Sequence, residues 1–346
     1  MVALAALAVA ALLATQGCDV SPPAQASVAA HPDVTLAQAR TIYQSYLSRS
    51  DAAAAKHDEV TALSLVADGA WDFTHAQFSI RAHNGTPVPR YTYGTPTFYV
   101  PVVSGYPHWF VVDVSRQTAA GSQAAGQAAG GSQAASPAAS APTLMVFGQV
   151  FAGHVWTLDA SAAFQPGQSM PAVATDANGY AISMSPYQQG LLLQPNVLAG
   201  THASIVDEGT DTAAGTLVAP GPMTTGLYQQ QSAIYAATPK PLQYLWSMVG
   251  TTFPVFALRT TSGAALVLYG LDLDTTLEHP NGLVGAQIPI PAIDQLQFAR
   301  PDEVADRGIA ANWTYDFATI DPPASAGISH ATVIAATGAL SYADAY

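Results

Sequence analysis

Two segments far apart in the chain spell the same pair of β-strands, and that repetition restricts the fold more than any other feature. Tyr106-Pro107-His108-Trp109-Phe110-Val111-Val112 is followed later by Thr143-Leu144-Met145-Val146-Phe147-Gly148. Phe253-Pro254-Val255-Phe256-Ala257-Leu258 is followed by Ala264-Ala265-Leu266-Val267-Leu268-Tyr269-Gly270. In both, an aromatic-Pro-x-aromatic strand precedes an apolar strand that ends aromatic-Gly. The second pair is joined by the short Thr261-Ser262-Gly263 turn, the first by Gln117 to Ala141, which is almost wholly Gln, Ala, Gly, Ser and Pro. A helical pattern precedes each pair, at Thr35 to Leu65 and at Leu227 to Ala237. The expected fold class is therefore α+β, built as two tandem helix-plus-antiparallel-sheet units over residues 33–165 and 223–346. Residues 166–222 form the connecting segment, with a Pro/Gly/Thr-rich linker near Asp207 to Pro222. Two hairpins of similar composition are the alternative.

Leu36, Ala39, Ile42, Tyr43, Tyr46 and Leu47 recur at helical spacing behind a capping Thr35, and a shorter turn follows through Val60, Leu63 and Leu65. After Gly69 the pattern reads as β: Trp71-Asp72-Phe73 through Ile80, then Thr97 to Val100, His108 to Val114, Leu144 to Phe147 and His154 to Leu158. Asn84-Gly85 and Ser104-Gly105 read as turns between these runs. The segment 117–141 is too poor in apolar side chains to repay its ordering entropy and is expected to be a disordered, tolerated loop expansion.

Only 10% of the 346 residues are charged and 49% are apolar, so the chain can bury a sizeable core. Its net charge of −13 repels phosphate backbones, which argues against nucleic acid as a partner. One cysteine excludes an internal disulfide framework and a Cys-based zinc site. That cysteine stands at a telling place. Residues 1–17 carry no charge, and Ala3 to Ala14 is an apolar run too short to span a bilayer. Gly17-Cys18-Asp19 and a Ser/Pro/Ala stretch to His31 follow, and the whole resembles a bacterial lipoprotein signal. The resemblance implies cleavage after residue 17, acylation of Cys18, a tether over 18–32 and a place on the outer face of the cell membrane. An ordinary secretory signal, with the protein released, is the alternative.

Leu266 to Leu277 carries Asp272-Leu-Asp274-Thr-Thr276-Leu277 after an apolar strand. This resembles the first motif of haloacid-dehalogenase-like phosphatases, where Asp272 would attack phosphorus and Asp274 would act as acid/base. The family's downstream Lys is missing, since Lys56 and Lys240 both lie upstream, and Gly282 to Tyr346 reads as Pro-rich loops and short β-runs rather than alternating strands and helices. Alternating acids on an exposed strand face give the same letters. The nine histidines show no metal-binding spacing and are expected on loops or strands; no metal and no cofactor is implied. Aromatic residues crowd the first unit, and Trp71, Tyr93 and Trp109 are the candidates for lining a ligand pocket, with core packing as the competing role.

The Ala-rich chain, the Phe-Tyr-Val-Pro and Tyr-Pro-x-Trp-Phe-Val-Val strands and the Phe-Pro-x-Phe-Ala-Leu strand resemble uncharacterised actinobacterial lipoproteins. Helix-then-meander units are similar to the cone-shaped nuclear-transport-factor-like fold, which hosts enzymes and inert binding domains alike. Together these readings imply a non-catalytic, lipid-anchored extracytoplasmic protein that binds a small ligand or an envelope protein. An extracytoplasmic hydrolase using Asp272 and Asp274 is the alternative.

Overall fold

In the computed structural model, residues 32–119, 140–280, 284–290 and 305–346 are described. The signal and tether, and all but the flanks of the 117–141 insert, lie outside these. Helix α1 (Leu36–Lys56) begins as the sequence requires, with Thr35 and Gln38 closing a reciprocal capping box. The short α2 (Glu59–Leu63) follows, capped by Asp58. Helix α3 (Asp68–Asn84) replaces the strand expected from Trp71 to Ile80. Ala70, Phe73, Ala76 and Ile80 are buried at three-to-four spacing, so a helical stripe was read as alternation. Asn84-Gly85 accordingly ends this helix, with Gly85 left-handed at φ 69°, and does not link two strands.

Then come β1 (Tyr91–Tyr93), β2 (Thr97–Tyr99), β3 (His108–Thr118), β4 (Ala141–Gln149) and β5 (Thr157–Phe164). Helix α4 (Pro195–Glu208) falls inside what the sequence suggested was a connecting segment, and α5 (Thr225–Ala237) follows. The chain closes with β6 (Gln243–Gly250), β7 (Phe256–Arg259), β8 (Ala265–Glu278), β9 (Gly308–Asp321) and β10 (Thr332–Ala345). β9 and β10 are 14 residues each, where short β-runs were expected. The fold class is α+β.

All ten strands join one antiparallel sheet in the order β1-β3-β4-β5-β10-β9-β8-β6, with β2 beside β3 and β7 beside β8. Matching β1 to β5 with β6 to β10, this order reads the same from either edge. The two halves are not separate units, however: residues 32–346 form one body, and β5 meets β10 at the seam. The sequence echo is also offset by one strand. It pairs β3–β4 with β7–β8, whereas by place in the sheet the counterpart of β3–β4 is β8–β9. Strands buried on both faces share long apolar runs whatever their position, so composition alone could not set the register.

Carried across the pairs Met145–Ser161, Thr143–Ala163, Ala163–Ala336 and Phe317–Tyr269, one sheet face bears all the long helices. There Tyr43 and Ala70 pack on Phe110, Val112, Met145 and Phe147, and Leu198, Ile205 and Val206 pack on Val267, Tyr269 and Phe317. Burying each such Phe or Leu contributes roughly 1.5–3 kcal/mol. The sheet curls about its other face until Trp109 on β3 touches Phe256 on β7, ring centroids 5.0 Å apart. Residues 181–184 close the gap by hydrogen bonding to Val100 on one side and to Ala257 and Arg259 on the other.

Candidate functional site

The curvature of the sheet and the lean of α1 leave a cleft in the first half. Its outer part, about 520 Å³, runs between Tyr43, Leu47, Ser50 and Asp51 on α1 and Tyr91, Tyr93 and Gly94 at β1. Its inner part, about 70 Å³, continues past Tyr91 and Tyr93 to Arg116, Phe73, Met145, Leu158 and Ser161. The combined size suits a small organic molecule. At the rim Arg90 grips Asp51 with two bonds of 2.7 and 2.6 Å, tying the approach to β1 onto α1. Both partners are nearly half exposed, so the pair fixes geometry more than it adds stability.

The walls are aromatic and the polar groups few. Tyr43 meets Tyr93, Phe98 and Phe147 edge-to-face, and Tyr46 does the same with Phe147. Burial raises the hydroxyls of Tyr43 and Tyr46 to about 12, and that of Tyr93 further, so all three stay protonated at neutral pH. Two buried hydroxyls along the cleft, Tyr43 Oη and Ser161 Oγ, have no hydrogen-bond partner among the described residues. Such groups normally find one. Arg116 lies over the Tyr91 ring, 4.7 Å from its centroid, and among the described residues no carboxylate comes within ion-pair distance of it. Among the described residues, the cleft thus offers apolar walls, unspent hydroxyls and a guanidinium with no carboxylate partner.

Of the three aromatics singled out from sequence, the structure brings only Tyr93 to this cleft. Trp71 is on the outer side of α3, 40% exposed and stacked on His75, and Trp109 is buried in the core of the opposite sheet face. Arg116 and Ser161 were missed. Arg116 sits where β3 runs into the low-complexity insert, and nothing in that local pattern marks its direction.

Asp272 and Asp274 stand on one face of β8, between the antiparallel β6 and β9. The phosphatase setting of a parallel sheet is therefore not present. Asp274 accepts a bond from Asn312 Nδ2 at 2.7 Å, and Thr314 Oγ1 lies within reach of both Asp272 and Asp72. They belong to the edge of a larger acid group. Where β5 diverges from β10, the start of α3 enters the seam, and Asp68, Asp72, Asp159 and Asp316 converge there. Asp316 accepts the Ser161 N–H at 2.7 Å, and Asp159 accepts the Thr157 hydroxyl at 2.6 Å. A Cβ at Gly69 would run into the Asp316 carboxylate, and one at Gly148 into that of Asp159, which is why glycine stands at both places. Burial, then like charge, raises Asp159 to about 7 and Asp72 to about 6, and lifts Asp316 well above the carboxylate range. Among the described residues no cluster of His, Cys, Asp or Glu is arranged to hold a metal ion. Asp316 and, in part, Asp159 therefore fasten the seam in their protonated forms.

The histidines correct another expectation, because His75, His83 and His202 are helical. His202 is buried between Tyr269 Oη at 2.9 Å and the Met223 carbonyl at 2.7 Å, which joins α4 to β8. Burial lowers it to about 4, so it is neutral, donating through Nε2 and accepting through Nδ1.

Residues 30–340 match the family described as Domain of unknown function (DUF8094). The chain belongs to that family. No curated protein and no solved structure matches it. For this DUF8094 chain the site is accordingly argued from its own geometry.

Proposed function

We propose that this DUF8094 chain is a non-catalytic, lipid-anchored extracytoplasmic protein that holds a small apolar carboxylate in the cleft of its first half. The observation that carries the reading is the unspent polar set around apolar walls: among the described residues Arg116 meets no carboxylate, and Tyr43 Oη and Ser161 Oγ meet no hydrogen-bond partner. A ligand carboxylate answers the guanidinium and accepts from hydroxyls, while its body replaces water against the tyrosine faces. The protonated tyrosines provide no base, and the cleft brings no nucleophile beside a general base, so binding accounts for it better than turnover.

An unpartnered buried hydroxyl costs stability unless a ligand uses it. Tyr43→Phe is therefore expected to raise the unfolding free energy of the free protein by about 1 kcal/mol and to weaken binding of a probe carboxylate several-fold. Denaturant unfolding and titration of the same variant check this pair. A variant that loses stability would show that the hydroxyl serves the fold.

Anchoring rests on Cys18, the one thiol, after a short apolar run. Cys18→Ala is expected to move the protein from the membrane fraction to the soluble fraction of its host. Unchanged fractionation would refute the lipid anchor.

A further inference from the structure

One end of the first half gathers exposed apolar side chains on two adjoining loops. The β4–β5 turn exposes Val150, Phe151 and Val155, each more than half exposed, and beside it the approach to β3 exposes Tyr106. The two lie together because His108 pairs with Gln149 at the matching ends of β3 and β4. The turn is held in shape: Gln149 Nε2 donates to the His154 carbonyl, and the His154 N–H donates to the Phe151 carbonyl at 3.1 Å. In a chain of net charge −13, residues 101–112 and 144–158 contain no Asp, Glu, Lys or Arg. Four large apolar side chains on rigid, uncharged loops need a reason.

The place where the chain enters the fold gives one. Asp33 lies 3.5 Å from His108 Nδ1, at this same end. Cys18 precedes Asp33 by 15 residues, which span at most roughly 50 Å when fully extended. An anchor on Cys18 would hold this end close to the lipid headgroups, where even a weak apolar contact is repeatedly re-formed. We propose that Tyr106, Val150, Phe151 and Val155 form a docking surface that seats in the interfacial region of the bilayer, an inference that rests on the anchoring reading above. The lack of charge on these two loops fits this partner, since a fixed charge on them would have to be desolvated. The consequence reaches the cleft. Arg116 lies roughly 25 Å farther along β3 at about 3.3 Å per residue, so the cleft faces the aqueous side and takes its ligand from there.

The test supplies the anchor chemically, which separates it from the question of natural lipidation. The mature chain from Cys18 is coupled through that thiol to maleimide-bearing phosphatidylcholine vesicles that also contain a brominated phosphatidylcholine as quencher. Emission of an added tryptophan is measured in Phe151→Trp and, as a control, in Val60→Trp, a still more open apolar site on α2. Docking predicts at least twofold quenching of the tryptophan at 151 and none at 60. Quenching at neither position or at both would overturn the docking surface, as would a dimer in solution that Phe151→Asp makes monomeric. Flotation of the protein as isolated from its host reports separately on the anchor: absence of flotation refutes acylation at Cys18, while the vesicle result still decides the docking surface.

Discussion

Stability should be greatest near pH 4 and should fall as the solution is brought to pH 8, with Asp159→Asn removing part of that fall. The folded chain holds the Asp159 carboxyl at about 7 by burial, opposed by its bond from Thr157 and reinforced by Asp68. The unfolded chain releases that proton near its ordinary value of 3.8. Between these values the native state binds the extra proton, so its stabilisation is complete below about pH 4 and is lost as the pH rises through about 7. For Asp159 alone the loss is on the order of 4 kcal/mol as an upper bound, and Asp72, Asp316 and Asp68 add to it in the same direction. Among the described residues no cation acts on Asp159 or Asp316 to reverse the sign, and His75 acts on Asp72 more weakly than burial does. His202 acts oppositely. Held at about 4 against an ordinary 6.5, it withdraws stability as the pH falls through that window, which offsets one of the four acids and leaves the net fall with rising pH in place. Denaturant midpoints at intervals from pH 4 to pH 8, for the parent and Asp159→Asn, check the fall and the share of it that Asp159 carries. A parent curve that rises steadily to pH 8 would contradict the protonated seam.

The sequence made much of the framework visible and little of the site. Thr35 announced α1 through a local cap, and β3 and β4 stood out because strands buried on both faces leave unbroken apolar runs. α3 was misread for a physical reason: its buried positions include Phe78 and Ile80 as well as Ala70, Phe73 and Ala76, so a helix covered on several sides shows alternation as well as a helical stripe. α4 was missed because Gln194-Pro195 looks like a linker, although proline is well placed in a first helical turn. The joined sheet was illegible, since the β5–β10 seam is set by Ala335 and Ala336 against Ala163 and Phe164, residues with no mark of partnership. Asp272 and Asp274 were visible as letters, but their meaning depends on Thr314 and Asp72, which only the fold brings near. Tyr93 was found because aromatics crowd this region; Ser161, an ordinary strand serine, carried no signal at all.

Arg116→Gln should abolish the cleft's preference for a carboxylate while leaving the fold in place, because Arg116 is partly exposed and makes no ion pair among the described residues. A charge-assisted bond from guanidinium to carboxylate in a partly desolvated cleft is worth roughly 1.5–3 kcal/mol, or about ten- to a hundredfold in affinity. Glutamine keeps a donor and removes the charge, so it isolates the electrostatic part. The most direct test is calorimetric titration of 4-phenylbutyrate and of its uncharged amide into the parent and into Arg116→Gln. The account predicts that the parent binds the carboxylate at least tenfold more tightly than the amide, and that Arg116→Gln binds the two alike. Equal affinity of the parent for acid and amide, or a preference that survives in Arg116→Gln, would contradict it.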